Sequence, residues 1–193
     1  VTCVQTAFNL VSPIIADSVI ATIVRDMTIL ELAPTILSVV LAGKVGSNIA
    51  GELGAMRISE QVDALEVMGI NSASYLVLPK IIAALITFPA LVIIAAFLGI
   101  TGGMVAGVLA NVVSLQDYQH GLLTNFNPYN ITFAMTKAFV FAFLITSISA
   151  YKGYHTHGGA LEVGKSSTSA VTNSCCLLYT SDAADDSLRV DLG

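Results

Sequence analysis

The sequence predicts an all-α polytopic membrane protein, and three observations carry that prediction. Charge is scarce, with 11% of the 193 residues Asp, Glu, Lys or Arg against 55% hydrophobic. A soluble domain carries about 25% charge, which it needs to stay dispersed in water. Two long runs, 81–116 and 138–151, hold no charged residue at all. Finally, the apolar segments do not alternate. ALVIIAAFLGI (90–100) has no period of two, as a strand of a transmembrane barrel of about 10 residues would have. In lipid the backbone must satisfy its own hydrogen bonds, which selects helices.

The elements follow from the length of a crossing, roughly 20 apolar residues. Residues 1–16 are uncharged but short and read as the end of a first span, clipped at the front. Residues 17–26 read as a connection. Residues 27–54 form a second span that carries Glu31 and Lys44, and 57–80 is polar and amphipathic. A third span occupies 81–109. The uncharged run there is longer than one crossing, so a break or a polar-side turn is expected within it. Residues 111–129 hold Asp117, His120 and Pro128 and read as a loop with a short helix. Residues 130–151 form a fourth span and 152–165 a glycine-rich polar loop. Ser166 opens a fifth span that does not finish.

Lys and Arg set the orientation, because short cytoplasmic loops are enriched in them. Arg57, Lys80, Lys152 and Lys165 fall on one side, Arg25 and Lys137 on the other. The first group is placed in the cytoplasm. Small residues recur every four positions, as Ala42, Gly46, Ala50 and Gly54, and again as Gly99, Gly103 and Gly107. Each series lies on one helix face and predicts close helix–helix packing there. Cys3, Cys175 and Cys176 do not form a disulfide framework.

The cytoplasmic segment 59–69 reads as a short helix. Ser59 is its expected N-cap. Glu60 and Asp63 sit in the first turn, where the helix dipole favours negative charge. Gly69 is the stop. Val62, Leu65 and Met68 form an apolar edge beside an acidic one of Glu60, Asp63 and Glu66. Helices that lie on a membrane surface are rich in Lys and Arg on the polar face. An acidic one predicts docking into a groove of a soluble protein.

The run LAGKVGSNIAGELGAMRISEQVDALEVMGINSASYLVLPK (41–80) resembles the signature of the MlaE/YrbE family of ABC transporter permeases. The shared features are a glycine-rich helix end, E-L-G-x-M, a [T/S]-E-Q-x-x-A-L helix, M-G and a Y-L-V-x-P-[RK] exit. YKGYHTHGGALEVGKSSTSAV (151–171) is similar to the last cytoplasmic loop of that family. The resemblance covers about 1–175. It implies a five-span permease, non-catalytic itself and without a cofactor, that works as a homodimer in a Gram-negative inner membrane. It also implies a periplasmic MCE-domain partner and a cytoplasmic ATPase. The ATPase would bind the coupling helix that matches Ser59, Glu60, Gln61, Asp63, Ala64, Leu65, Met68 and Gly69. The implied substrate is a phospholipid moved between inner and outer membranes, held between the two permease subunits and serving outer-membrane asymmetry. A sterol or organic solvent is the alternative cargo, and a scaffold or channel without an ATPase is the alternative class. Near the lipid pocket the family carries an Arg-Glu pair before a proline. Leu30 and Glu31 match it here, ahead of Pro34, so the arginine is missing. An intramembrane glutamate is by default a functional candidate, and Lys44 or Arg25 is an expected partner for it.

Two other motifs compete. Residues 159–166, GALEVGKS, fit the phosphate-cradling G-x-x-x-x-G-K-[ST] pattern. That loop needs a strand before it, a helix after it and a later Asp for magnesium. No apolar strand ending in Asp follows Ser166, so the match reads as accidental. His155 and His157 form an H-x-H pair with no third ligand nearby in sequence, which reads as a solvated loop rather than a metal site. No basic–aromatic pattern for nucleic acid stands out. After Cys175 the character changes. Residues 176–193 are polar, with Asp182, Asp185, Asp186 and Asp191 against Arg189. CLLYTSDAAD resembles the translation of a transposon-based sequencing adapter, so the permease domain is read as 1–175 and 176–193 as a non-native tail.

Overall fold

The computed structural model describes residues 18–192 apart from 111, 112 and 125, with side chains from 19 to 184. The expected span at 1–16 lies outside the described residues. Every regular element among them is helical. Among the described residues, three stretches are long and apolar enough to cross a membrane, namely Val19–Ile58, Ser72–Leu109 and Pro128–Tyr154.

The first is one continuous rod with two widened turns. It contains α1 (Ser18–Met27), a π turn (Thr28–Ile36), α2 (Leu37–Leu41), a second π turn (Ala42–Gly46) and α3 (Ser47–Ile58). Pro34 lies in the first π turn. Proline has no N–H to give and its ring crowds the preceding carbonyl, so a wider turn accommodates it. The expected connection at 17–26 is therefore helix instead over its described part, 18–26. Its polar residues misled the sequence reading because they are satisfied far along the chain: the buried Arg25 donates to the carbonyls of Leu122 and Thr124.

Next come α4 (Gln61–Val67) and α5 (Ser72–Leu109). The break expected in the uncharged run 81–116 comes at its far end, where α5 stops at Leu109 after 38 residues and the next helix begins at Leu115. Those 38 residues are more than the roughly 20 that one crossing of the hydrocarbon core needs. Pro79 and Pro89 sit inside it, which membrane helices tolerate. Ile86, Phe97 and Leu98 on α5 are each more than 60% exposed, a surface suited to lipid rather than water. The short helix α6 (Leu115–Leu123) is capped by Ser114, whose Oγ accepts from the Asp117 N–H. Helix α7 (Pro128–Tyr154) runs three residues past the expected end of the fourth span. Helix α8 (Ala160–Leu192) begins six residues before Ser166, so the expected 152–165 loop shrinks to a few residues. Although long, α8 is not among the stretches apolar enough to cross.

The chain divides into two units. One comprises Val1–Ile36 and Ala90–Lys137, the other Leu37–Pro89 and Ala138–Gly193. In the first, Ile20, Ala21, Val24, Val113 and Tyr118 form the core. Tyr118 is fully buried, with its hydroxyl donating to the Ile100 carbonyl at 3.2 Å. In the second, Phe88, Phe141, Ile145 and Leu178 pack around Ala42, Ala84 and Ala142. A neighbouring cluster joins Ile49 and Leu53 to Ala150. Helices in lipid gain little from hiding apolar surface, so small residues that permit close backbone approach do the packing.

Candidate functional site

Helix α3 ends where its last turn closes on itself. The Ser59 N–H and Oγ both donate to the Ala55 carbonyl, at 3.1 and 2.9 Å. Ser59 is therefore not the N-cap of α4. A serine hydroxyl reaches its own i−4 carbonyl as readily as a forward N–H, and here it does so. The cap is Glu60, with φ +58° and no side-chain cap bond. Left-handed backbone at a non-glycine costs roughly 1 kcal/mol, and it reverses the chain within two residues. At the other end the expected stop is in place. Gly69 has φ +77°, its N–H donates to the Glu66 carbonyl at 3.0 Å, and the Ile70 N–H donates to the Leu65 carbonyl at 3.1 Å. This pair of bonds is the Schellman closure.

A polar cluster fastens α4 to its neighbours. The Ser72 hydroxyl, at the start of α5, donates to Glu66 Oε1 at 2.7 Å. The Tyr154 hydroxyl, at the end of α7, donates to the same oxygen at 3.0 Å. The two hydroxyls lie 2.8 Å apart. Arg57, at the end of α3, pairs with Asp63 at 2.6 Å and sits 5.6 Å from the centroid of the Tyr154 ring. The Ser72 and Tyr154 hydroxyls, with Arg57 nearby, hold the Glu66 carboxyl below its ordinary range.

This arrangement alters the sequence reading in two ways. The acidic edge is not wholly free, since Asp63 and Glu66 bind the chain's own Arg57, Ser72 and Tyr154. Nor is the apolar edge uniform. Val62 is fully buried and Leu65 half-buried, while Met68 is exposed. The open apolar surface lies at the end of the helix, with Val67 88% and Met68 65% exposed. Glu60, Gln61 and Ala64 are also exposed. The site offers an acidic and apolar knob on a braced helix, suited to docking.

The profile of the Permease MlaE family matches residues 1–185. The chain belongs to the MlaE permease family. Among similar proteins, a probable ABC transporter permease protein of Rickettsia bellii is 42% identical over 167 residues, covering 86% of this chain and 64% of the relative. A probable ABC transporter permease protein of Synechocystis is 34% identical, covering 79% of this chain and 58% of the relative. Protein TRIGALACTOSYLDIACYLGLYCEROL 1, chloroplastic, of Arabidopsis thaliana is 38% identical, covering 79% and 43%. The chain thus spans less than two thirds of the length of these relatives.

Against the MlaE pattern, the remaining candidates fall as follows. Glu31 is exposed in the first π turn, three residues before Pro34. Arg25, an expected partner, binds Asp26 at 2.9 Å and the carbonyls of Leu122 and Thr124. A methyl added at Gly46 would lie 2.9 Å from Ser149 Oγ, and one at Gly54 3.3 Å from Val163 Cγ1. At Gly99 it would meet Thr28 Cγ2 at 2.7 Å, and at Gly103 Tyr118 Oη at 3.1 Å. Gly107 is buried. An equally tight approach, onto backbone, was missed by sequence reasoning. A methyl at Gly153 would lie 2.7 Å from the Ala50 carbonyl oxygen. The signal was available, since Ala50 belongs to the four-residue series and needed a small partner. Ser72 and Tyr154 were missed too, because they act across 82 residues. The GALEVGKS motif follows helix α7 rather than a strand. Lys165 pairs with Glu162 at 2.7 Å, and Ser166 Oγ donates to the Lys152 carbonyl.

Proposed function

We propose that the chain is the membrane-embedded permease subunit of an ATP-driven ABC transporter that moves phospholipids between membranes. In this reading α4 is the coupling helix, received by a cytoplasmic ATPase. The permease is a homodimer in a Gram-negative inner membrane and works beneath a periplasmic MCE-domain protein. The single observation that carries the reading is the bracing of α4. Its exposed end, Val67 and Met68, is tied through Glu66 to Ser72 of α5 and Tyr154 of α7. A push on the knob is thereby delivered to two spanning helices. The Arabidopsis relative is named for a galactolipid built on diacylglycerol, which favours a glycerolipid cargo over a sterol or solvent. Glu31, exposed on the rod, is assigned to the headgroup contact in the pocket between subunits. The permease domain in this reading is 1–175, with 176–193 outside the functional assignment.

Capture of the ATPase tests this. Val67→Asp buries a charge in the dock without disturbing the fold, because Val67 is 88% exposed. The tagged permease is expected to capture a P-loop ATPase from the membrane, and the variant to lose it at unchanged permease yield. Equal capture by both sinks the coupling assignment and favours a scaffold or channel.

A further inference from the structure

Two motifs that the transporter reading leaves unused, H-x-H and GALEVGKS, fold against each other. They line a basin of about 500 Å³ where α7 ends and α8 begins. Two of the eight lysines and arginines, Lys152 and Lys165, and two of the three histidines, His155 and His157, line it. Glu162 is the one carboxylate in the lining, and it is paired with Lys165 at 2.7 Å. That pair is exposed, so opening it costs little. Lys152 has no carboxylate partner among the described residues. His155 uses Nδ1 on the Tyr151 carbonyl at 3.0 Å, leaving Nε2 unused, and stacks on the Tyr151 ring at 4.3 Å between centroids. Thr156 and Ser166 are bonded to each other and to the Lys152 carbonyl, which fixes the basin floor. This is a cationic basin in a chain with few cations.

A second cavity adjoins it and shares Tyr151 and Lys152. It is about 540 Å³ and is also bordered by Ser147 and Ile148 of α7 and by Asn173, Cys176 and Leu177 of α8. The last two belong to the segment 176–193, so the lipid contact rests on the α7 side alone. Its wall is mostly carbon: Ile148, the Tyr151 ring and the aliphatic stem of Lys152. A free phosphate has no use for such a neighbour. An amphiphile with an anionic head and a hydrocarbon chain uses both. A basic pocket at the cytoplasmic end of a spanning helix, here α7, suits an anionic headgroup.

We propose that the basin and the adjoining groove form a binding site for an anionic phospholipid of the cytoplasmic leaflet. Its phosphate lies between Lys152, Lys165, His155 and His157, and one acyl chain runs along Ile148. The site is distinct from the cargo pocket between subunits. It rests on the permease reading only in placing these helix ends at the cytoplasmic face.

The test is equilibrium binding of fluorophore-labelled dihexanoyl-phosphatidylglycerol to the full chain in neutral detergent, with no ATPase present. Unlabelled phosphatidylglycerol is expected to compete, and dihexanoyl-phosphatidylcholine and inorganic phosphate to compete at least tenfold less well. The double variant Lys152→Gln, Lys165→Gln is expected to bind roughly 10–30-fold more weakly, and Lys80→Gln, whose lysine pairs with Glu52 away from the basin, to bind normally. Equal competition by inorganic phosphate overturns the lipid assignment in favour of a free phosphate site. Equal competition by phosphatidylcholine, or unchanged affinity in the double variant, overturns the site. The competition arms on the unmodified chain define the headgroup preference, and where the double variant misfolds the single variants Lys152→Gln and Lys165→Gln locate it, unchanged affinity in both overturning the site. A chain that binds the lipid here yet captures no ATPase refutes the transporter reading alone. The reverse result removes this site alone.

Discussion

The two units each fasten a short polar helix to a long rod, and they do it with opposite chemistry. In the unit containing α6, the rod supplies the donors. Thr22 Oγ1 donates to the Gly121 carbonyl at 2.9 Å, and Arg25 donates to those of Leu122 and Thr124 at 2.7 and 3.0 Å. The acceptors are the orphan carbonyls at the C-terminus of α6, which any sequence would present. In the unit containing α4, the ties run between side chains: Arg57 to Asp63, and Ser72 and Tyr154 to Glu66. A latch onto backbone carbonyls is deep and insensitive to pH. A latch built on a carboxylate is shallow and responds to protonation and to a partner. The first suits a fixed support and the second a part that must move.

If that contrast is right, breaking the α6 latch has the largest effect. Arg25 is only 3% exposed. Arg25→Ala is expected to destabilise the chain by about 3 kcal/mol, because the charge-assisted bonds are lost and the part-buried carbonyls of Leu122 and Thr124 stay unpaired. Denaturant unfolding in detergent reads this. Next is Gly153→Val, which drives a side chain into the Ala50 carbonyl oxygen and Leu53. A loss of about 1–3 kcal/mol is expected, in the same assay. Tyr154→Phe removes one hydroxyl from the α4 latch while Ser72 still holds Glu66. It is expected to cost about 1 kcal/mol and to leave α6 untouched in hydrogen exchange. A loss as large as that of Arg25→Ala erases the contrast.

Protonation sharpens it further. The Glu66 carboxyl is held below its ordinary value of 4.5, first by the Ser72 hydroxyl and then by that of Tyr154. A depressed carboxylate stabilises the fold above its ordinary value and stops doing so as pH falls through the lowered one. Amide protection in α4 is therefore expected to hold at neutral pH and to fall only as the pH drops below 4.5. Leu122 and Thr124, whose backbone carbonyls accept from Arg25, are expected to show no such step.

The sequence made the spans legible because lipid imposes one requirement, the absence of charge, over a whole segment. It also gave the stop of α4, since Gly69 must take positive φ. What escaped was every feature fixed by a partner far along the chain. Residues 17–26 looked like a connection because Arg25 and Asp26 are charged, and nothing local says that Arg25 is matched 97 and 99 residues later. Ser59 looked like a cap because its hydroxyl has two local options, and the choice depends on how α3 ends. Of the coupling segment, the identity of the residues was readable and their exposure was not. Val67, not counted in the apolar edge, is the most exposed of its large hydrophobics.

The account stands on α4 presenting its open end to the cytoplasm. The direct measurement is labelling of Val67→Cys by a membrane-impermeant maleimide, in a chain freed of its three native cysteines. Rapid reaction in inside-out vesicles and none in intact cells is the predicted result. Reaction from the outer side, or protection from both sides, would contradict it.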